Sequence, residues 1–148
     1  VQEEIGLRGA QMIAQRIKPD VAIITDVCHD TGTPMIDKKV QGDLKGGEGP
    51  VLTYGPAVQN NLLKHIISTA EKSKIPFQRL AASRATGTDT DAFAYSNEGV
   101  PSALISLPIR YMHTTVEMCD EKDVENTIKL IFESVKALKN KHDFRYIK

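Results

Sequence analysis

The stretch Val21-Ala22-Ile23-Ile24-Thr25-Asp26 tells most about the fold of this chain. A short, continuous apolar run rich in β-branched residues predicts a strand that is buried on both faces, as in a parallel sheet. The run leads directly to Asp26, and a carboxylate at the end of a buried strand is costly unless it is paired, protonated or bound to a metal. Asp26 is therefore the first candidate functional residue. A capping role in the following loop is the alternative reading of its position.

Helical and strand patterns alternate on both sides of this stretch. Apolar residues at Leu7, Ala10, Ala14 and Ile17 predict a helix that Pro19 stops. The later segments are predicted as a short strand at 51–53, a helix at 62–70, a strand at 77–80, a helix from 88–89 and a strand at 103–107 closed by Pro108. A last helix is predicted to carry Val124, Ile128, Ile131, Val135 and Leu138 on its apolar face. Asp120 and Asp123 resemble a capping box at the start of this helix. This alternation predicts an α/β fold, a three-layer α/β/α sandwich with a mostly parallel or mixed sheet.

Two segments lack a lasting period. Residues 28–50 hold many glycines and are predicted as a long functional loop, because strong elements lie on both sides. The tail from Lys139 is charged, so we expect it to be solvated.

Composition limits the classes of function. The chain has 148 residues, of which 41% are hydrophobic, which suits one domain with a real core. Lys plus Arg and Asp plus Glu both number 19, and this balance argues against nucleic-acid and membrane-surface partners, which would require a basic excess. No apolar run approaches the ~20 residues of a membrane span. Two cysteines are too few for a disulfide framework, so a reducing, cytoplasmic setting is expected.

Polar groups recur where predicted strands end, which is where ligands bind in sheets of this class. His113 follows the strand at 103–107, and imidazole suits zinc, cobalt or manganese. Glu117 could orient His113, as metal-bound histidines usually require. The alternative is a neutral histidine satisfied by backbone groups. His29 and Asp30 also resemble a metal cluster, but we expect His29 to be a hydrogen-bonding loop residue.

Two further motifs are candidates. Glu3 and Glu4 are adjacent, and on an extended segment their side chains would point to opposite faces, so one could bind a metal and the other could act on the metal's water. A solvated acidic terminus is the alternative. The turn 86–89 offers backbone N–H groups at a helix start, which makes Thr88 and Asp89 candidates for binding substrate. An N-cap role for Asp89 is the alternative there.

Four motifs occur in order along the chain: VQEEIGLRGA at 1–10, TDVCHDTGTP at 25–34, TGTD at 86–89 and PIRYMHTTVE at 108–117. With them the sequence resembles the glutamyl and tetrahedral aminopeptidases, a family of co-catalytic metallopeptidases. The resemblance covers nearly the whole chain, and the order of four motifs makes it specific.

The resemblance implies an enzyme that removes N-terminal residues from peptides with two divalent metal ions, Zn, Co or Mn. It implies that Glu3 is the general base, that Glu4 and His113 bind one metal, and that Asp26 binds the other. It also implies a large homo-oligomer. These roles are carried over from the motifs and are expectations at this point.

The resemblance also concerns what lies outside the chain. The family's remaining ligands are a histidine of a His-x-Asp motif and a bridging aspartate, both upstream of the Gln-Glu-Glu motif, and the family carries an inserted β-domain. The chain begins at Val1, directly before this motif, which favours a truncated polypeptide. We therefore expect residues 1–148 to be the carboxyl-terminal part of a catalytic domain, without useful activity alone.

Two alternatives from other classes stay open. A glycoside hydrolase could use Glu3 and Asp26 as paired carboxyls, and some relatives carry a glucanase label. Sugar clefts are lined by aromatic side chains, however, and this chain has no Trp and only 5% aromatic residues. A non-catalytic assembly domain is the second alternative. Only the peptidase requires divalent ions.

Overall fold

The structure, a computed structural model, describes residues 1–146 as a mixed α/β unit. The helices are α1 (Arg8–Ile17), α2 (Lys38–Gln41), α3 (Asn60–Lys72), α4 (Asp89–Ala94) and α5 (Glu121–Lys136). The strands are β1 (Ala22–His29), β2 (Val51–Tyr54), β3 (Gln78–Ala81), β4 (Ser102–Arg110) and β5 (Met118–Cys119). Within residues 1–146, no helix is both long and apolar enough to cross a membrane.

The five strands form one mixed sheet in the order β1-β4-β2-β3, with β5 beside β4. β1 and β4 are parallel, as are β2 and β3, whereas β2 and β5 run antiparallel to β4. The helices pack in two pairs, α1 with α4 and α3 with α5, and flank the sheet. The predicted α/β/α sandwich with a mixed sheet is confirmed.

The two long strands extend further than predicted. β1 pairs with β4 from Ala22 opposite Ser102 to His29 opposite Ile109, so Asp26 lies inside β1 and not at its end. Pro108 lies inside β4 and does not close it. On its other side β4 pairs with β2 at 105–106 and with β5 at 109–110, so Pro108 falls between these partners, where no ladder hydrogen bond is required of it.

The main core forms between the sheet and α3. Leu52, Leu62, Ile66 and Ile105 are fully buried, and the predicted inner face of α3 is confirmed. In α1 only Ala10 and Ala14 of the predicted apolar face are buried, and Ile17 is exposed.

The predicted inner face of α5 is only partly correct, because Ile131 and Leu138 pack half-buried against the core but Ile128 and Val135 do not. Its buried residues are Asp123, Thr127, Leu130 and Ser134, whereas Ile128, Phe132 and Val135 are exposed. Asp120 alone caps α5, its side chain accepting a hydrogen bond from the Lys122 amide. Asp123 does not complete a capping box, because its carboxylate points into the protein and binds the glycine-rich loop at Gly47 and Gly49.

The two segments without a period are also more ordered than predicted. The loop at 28–50 contains α2, and Thr31 and Leu44 exchange hydrogen bonds across it. The tail is not simply solvated: Phe144 is buried, its ring packs edge-on against His65, and its carbonyl accepts a hydrogen bond from the Gln59 side chain. Residues 147–148 of the predicted tail lie outside the described residues.

Candidate active site

The amino-terminal motif forms a turn that leads into α1. The Glu3 carbonyl accepts hydrogen bonds from the Gly6 amide at 3.1 Å and the Leu7 amide at 3.0 Å. The predicted extended segment is therefore wrong. The turn closes where the Gly9 amide donates to the Val1 carbonyl, and a Cβ atom on Gly9 would lie 2.6 Å from that oxygen, so only glycine fits.

A second turn after β4 presents His113. The residue has a positive φ of 63°, and its backbone amide donates to the Glu117 carboxylate at 2.6 Å. The Tyr111 carbonyl accepts hydrogen bonds from both the amide and the hydroxyl of Thr114. Glu117 thus fixes the backbone of this turn and does not contact the imidazole, which corrects the expected orienting role.

The two turns bring Glu4 and His113 together. Nε2 of His113 lies 3.3 Å from a carboxylate oxygen of Glu4, although the residues are far apart in sequence. Both side chains remain largely exposed, at 72% for Glu4 and 65% for His113, so they are accessible from solvent. A carboxylate and an imidazole side by side are donors that zinc, cobalt and manganese accept.

Glu3 and Asp26 lie beside this pair. Burial raises the pKa of the Glu3 carboxyl, and the negative charges of Asp26, Glu4 and Asp89 raise it further, against an opposing effect of His113. Burial also raises the pKa of Asp26, with Asp89 and Glu4 adding to it, whereas a hydrogen bond of 2.7 Å from the Val27 amide and the proximity of His113 oppose the rise. The charges of Glu4, Asp89 and His113 thus act on both the Glu3 and the Asp26 carboxyl groups.

The turn before α4 contributes the third constellation. Thr88, and not Asp89, is the N-cap of α4, with its hydroxyl accepting a hydrogen bond from the Thr90 amide. Thr88 is buried, and its hydroxyl also contacts those of Thr86 and Thr90. Asp89 is the first residue of the helix and acts electrostatically on both Glu3 and Asp26.

The direction of β3 explains why a loop is required between this strand and Asp89. β3 runs antiparallel to β1 and β4, so its carboxyl end is at the opposite edge of the sheet. The loop after β3 returns the chain, and α4 then packs against β1 and β4. The motif at 86–89 is therefore brought toward β1 and β4 by this loop and not by a strand direction shared with them.

Asp30 has a structural role. It is buried, and its two oxygens accept hydrogen bonds from the Gly32 amide at 2.6 Å and the Gly46 amide at 3.1 Å. His29 is the last residue of β1. Asp30 therefore supports the glycine-rich loop, whereas His29 belongs to β1, so its expected position in the loop is wrong.

Two further carboxylates, like that of Asp30, accept hydrogen bonds from backbone amides of a turn or loop, and this role was not predicted from the sequence. Asp91 accepts hydrogen bonds from the Thr86 amide at 3.1 Å and the Gly87 amide at 3.0 Å. Asp123 accepts from the Gly47 and Gly49 amides, both at 2.7 Å. Asp91 follows its turn closely and could have been found as an aspartate after a Thr-Gly turn, but the pairs of Asp123 span more than 70 residues and leave no local signal.

The residues fit a divalent cation only in part. Within residues 1–146, no three His, Cys, Asp or Glu side chains are close enough together to hold a metal ion. The Glu4–His113 pair nevertheless has the right donor chemistry. A cation between Glu3, Glu4 and Asp26 would also relieve the repulsion that raises the pKa of Glu3 and Asp26.

Two cavities lie elsewhere. One of about 450 Å³ and one of about 1210 Å³ lie beside the carboxyl-terminal segment, and both are lined by Gly99 and Arg145. Neither is lined by Glu3, Glu4, Asp26 or His113. The candidate site is thus an open surface formed by turns.

The chain belongs to the M42 glutamyl aminopeptidase family, whose model matches residues 1–130. It is 42% identical over 139 residues to the lysyl aminopeptidase of Pyrococcus furiosus. Among solved structures it is similar to the TET aminopeptidase of Thaumarchaeota archaeon SCGC AB-539-E09, with 36% identity and a TM-score of 0.86. It is also similar to the TET1 peptidase of Pyrococcus horikoshii, described as assembling into a tetrahedron or a large octahedral shell, with 30% identity and a TM-score of 0.71.

The chain spans well under half of these proteins. The match covers 94% of this chain but 39% of the Pyrococcus furiosus enzyme. For the two solved structures it covers 95% and 91% of this chain but 39% and 38% of theirs. The similarity therefore concerns one part of a longer aminopeptidase.

Proposed function

We propose that this chain supplies the acid–base group and several metal ligands of a metal-dependent aminopeptidase. One observation carries the proposal: two separate turns place Glu4 within 3.3 Å of His113, directly beside the converging carboxyls of Glu3 and Asp26. Membership of an aminopeptidase family supports the reaction class.

The four residues divide into different roles. Glu4 and His113 bind one divalent ion, and Asp26 binds a second. The ion pair of His113 is with Glu4 and not with Glu3. The raised pKa of Glu3 suits a group that takes up and releases a proton. Glu3 accepts a proton from the attacking water and passes it to the leaving amine.

The metal ions, when bound, supply the Lewis acidity that lowers the pKa of water and stabilises negative charge on the reacting carbonyl. Zn, Co and Mn match the oxygen and nitrogen donors of the chain. As the motifs imply, a histidine and a bridging aspartate from upstream sequence complete the two ligand sets.

The substrates and the assembly belong to the same proposal. We propose that the enzyme acts on the free N-termini of peptides, in the cytoplasm, and that it works as a homo-oligomer. The assemblies described for the Pyrococcus horikoshii relative support the oligomer. Sedimentation of the whole enzyme tests it, and a monomer at working concentration would contradict it.

Metal removal tests the central claim. Dialysis of the whole enzyme against a chelator should abolish hydrolysis of an aminoacyl p-nitroanilide, because attack on an amide at neutral pH requires a water of lowered pKa. Zn²⁺, Co²⁺ or Mn²⁺ should restore the activity. Full activity after prolonged dialysis with excess chelator would overturn the proposal.

The same preparation separates the alternatives. A glycoside hydrolase would release sugar from a β-glucan and would keep this activity in the chelator. A non-catalytic assembly domain would do neither but would still associate. Metal-dependent release of p-nitroaniline alone distinguishes the peptidase from both.

A further inference from the structure

The turn that carries His113 has a strained backbone. Tyr111 has a φ of 57° and His113 a φ of 63°, in the left-handed region that residues other than glycine adopt at a cost in free energy. The turn connects β4 to β5, and its two ends are fixed because Arg110 pairs with Met118 in the sheet. This pairing does not explain two left-handed residues inside the turn. Such a conformation persists where further contacts hold it.

The hydrogen bonds inside the turn divide between the two strained residues. Thr114 donates to the Tyr111 carbonyl with its backbone amide at 3.1 Å and with its hydroxyl at 2.6 Å. The backbone amide of His113 donates to a carboxylate oxygen of Glu117 at 2.6 Å. Thr114 therefore holds the first strained residue, and Glu117 holds the second.

The backbone of His113 decides where its side chain lies. Nε2 of the imidazole is 3.3 Å from a carboxylate oxygen of Glu4. The His113 side chain is 65% exposed, so packing does little to keep the ring in this place. With a positive φ, the Cα–Cβ bond leaves the turn on a different side than it would with the ordinary negative φ. A relaxed His113 would therefore move its imidazole away from Glu4.

We propose that Glu117 is a positioning residue, which accepts the His113 amide and so holds the left-handed turn that keeps the imidazole beside Glu4. The inference rests on the proposed function, in which Glu4 and His113 bind one divalent ion. Glu117 acts through the hydrogen bond and not through its charge, and it does not bind the ion itself. An uncharged acceptor of the same length should therefore replace it.

The Zn²⁺ affinity of the whole enzyme, measured by competition with a fluorescent chelator, tests this role. Glu117→Ala removes the acceptor, so one Zn²⁺ ion should bind at least about tenfold more weakly, the range for groups that orient metal ligands. Glu117→Gln removes the charge but keeps an acceptor oxygen at the same distance from the backbone. Its Zn²⁺ affinity should stay close to the wild-type value.

Glu125→Ala is the matched control. Glu125 is an exposed acid of α5, outside the turn, and its loss removes the same charge as Glu117→Ala. Its Zn²⁺ affinity should equal that of the wild-type enzyme. An unchanged affinity in Glu117→Ala overturns the proposal. An equal loss in Glu117→Ala and Glu117→Gln also overturns it, because Glu117 would then act through its charge or as a ligand.

A measurement without metal tests the turn itself. In residues 1–148, Glu117→Ala should make the His113 amide exchange with deuterium about tenfold faster, since a hydrogen bond to a charged acceptor is lost. The amide of Leu104, inside β4, should keep its wild-type protection and show that the variant is folded. Wild-type exchange at His113 in the folded variant overturns the proposal. A wild-type enzyme that binds no Zn²⁺ would instead refute the proposed function, and the exchange rates would still decide whether Glu117 holds the turn.

Discussion

Glu3 and Glu4 are adjacent in sequence but have different surroundings. Glu4 is exposed and faces His113 at 3.3 Å. Glu3 is half-buried, and the pKa of its carboxyl is raised first by burial and then by Asp26. The turn at 3–7, and not the alternation of an extended strand, produces this difference. Neutral substitutions of the two glutamates should therefore have different effects on metal content and on kcat.

Neutral variants of the whole enzyme test this difference. Glu3→Gln should keep nearly all of its metal and lower kcat by about two to four orders of magnitude, as expected when an acid–base group is lost. Glu4→Gln should lower metal occupancy. Elemental analysis and steady-state kinetics measure both effects. Equal metal loss in the two variants would show that the assignment of the base to Glu3 is wrong.

The two cysteines should differ in reactivity. Burial raises the pKa of the Cys28 thiol to about 12, and the negative charges of Asp123, Asp26 and Asp30 raise it further. At pH 8 a thiol with a pKa of about 12 is ionised in roughly one molecule in ten thousand, and the thiolate is the reactive form. Cys119 is exposed.

A thiol reagent should therefore label this native chain once at pH 8, at Cys119, and twice after denaturation. Cys119→Ser should remove the fast reaction and leave Cys28 protected. Rapid labelling of Cys28 in the folded protein, located by peptide mass, would contradict the burial of this residue.

Residue identities in the site could be predicted better than their geometry. Asp26 and His113 are candidates because they follow apolar runs, and the roles of Glu3 and Glu4 come from the resemblance of their motif to a metallopeptidase family. The positive φ values of Leu7 and His113 could not be predicted, since neither is glycine. The hydrogen bonds of these turns are local, but they follow neither a helical nor a strand period, so apolar periodicity does not indicate them.

At the scale of elements, α5 shows why apolar periodicity can give the right helix but only part of its buried face. Its apolar residues follow a helical period, yet Ile128, Phe132 and Val135 are exposed and Asp123 is fully buried. The backbone amides of the glycine-rich loop require acceptors, and Asp123 supplies them. The sequence pattern does not indicate these hydrogen bonds, because the loop and the helix are far apart in sequence.

Asp123 should accordingly contribute to stability. Asp123→Asn replaces one acceptor oxygen with an NH₂ group that faces an amide donor, so the free energy of unfolding should fall by about 1.5 to 3 kcal/mol. Asp120→Asn is the control, because asparagine caps a helix about as well as aspartate and the change should be near zero. Denaturant unfolding of both variants measures the difference. Equal stabilities would contradict the role of Asp123.

The order and type of the longer elements were predictable, whereas strand direction was not. The helices at 8–17 and 60–72 and the strands at 22–29 and 102–110 lie where apolar periodicity placed them. The reversal between β4 and β2 depends on how the long loop at 28–50 returns the chain. Periodicity gives no information about this choice, and β5, with two residues, is too short to have a period.

The whole chain should bind metal poorly when it is alone. In the proposed assignment Glu4 and His113 would bind one ion and Asp26 another, and stable sites usually have three or more protein ligands with supported orientations. Calorimetry of residues 1–148 with Zn²⁺ should show weak or single binding, and a peptide hydrolysis assay should show no useful turnover. Two tight sites with turnover comparable to that of the whole enzyme would show that the ligand assignment is incomplete.

The position of β1 in the sheet has a further consequence for the surroundings of Asp26. Within residues 1–146 it pairs with β4 alone, so the backbone groups along its other side are available to a further strand. Asp26 lies on this same strand. Any polypeptide that completes the sheet there also sets how much water reaches Asp26. The access of water to Asp26 thus depends on whichever segment lies along this side of β1.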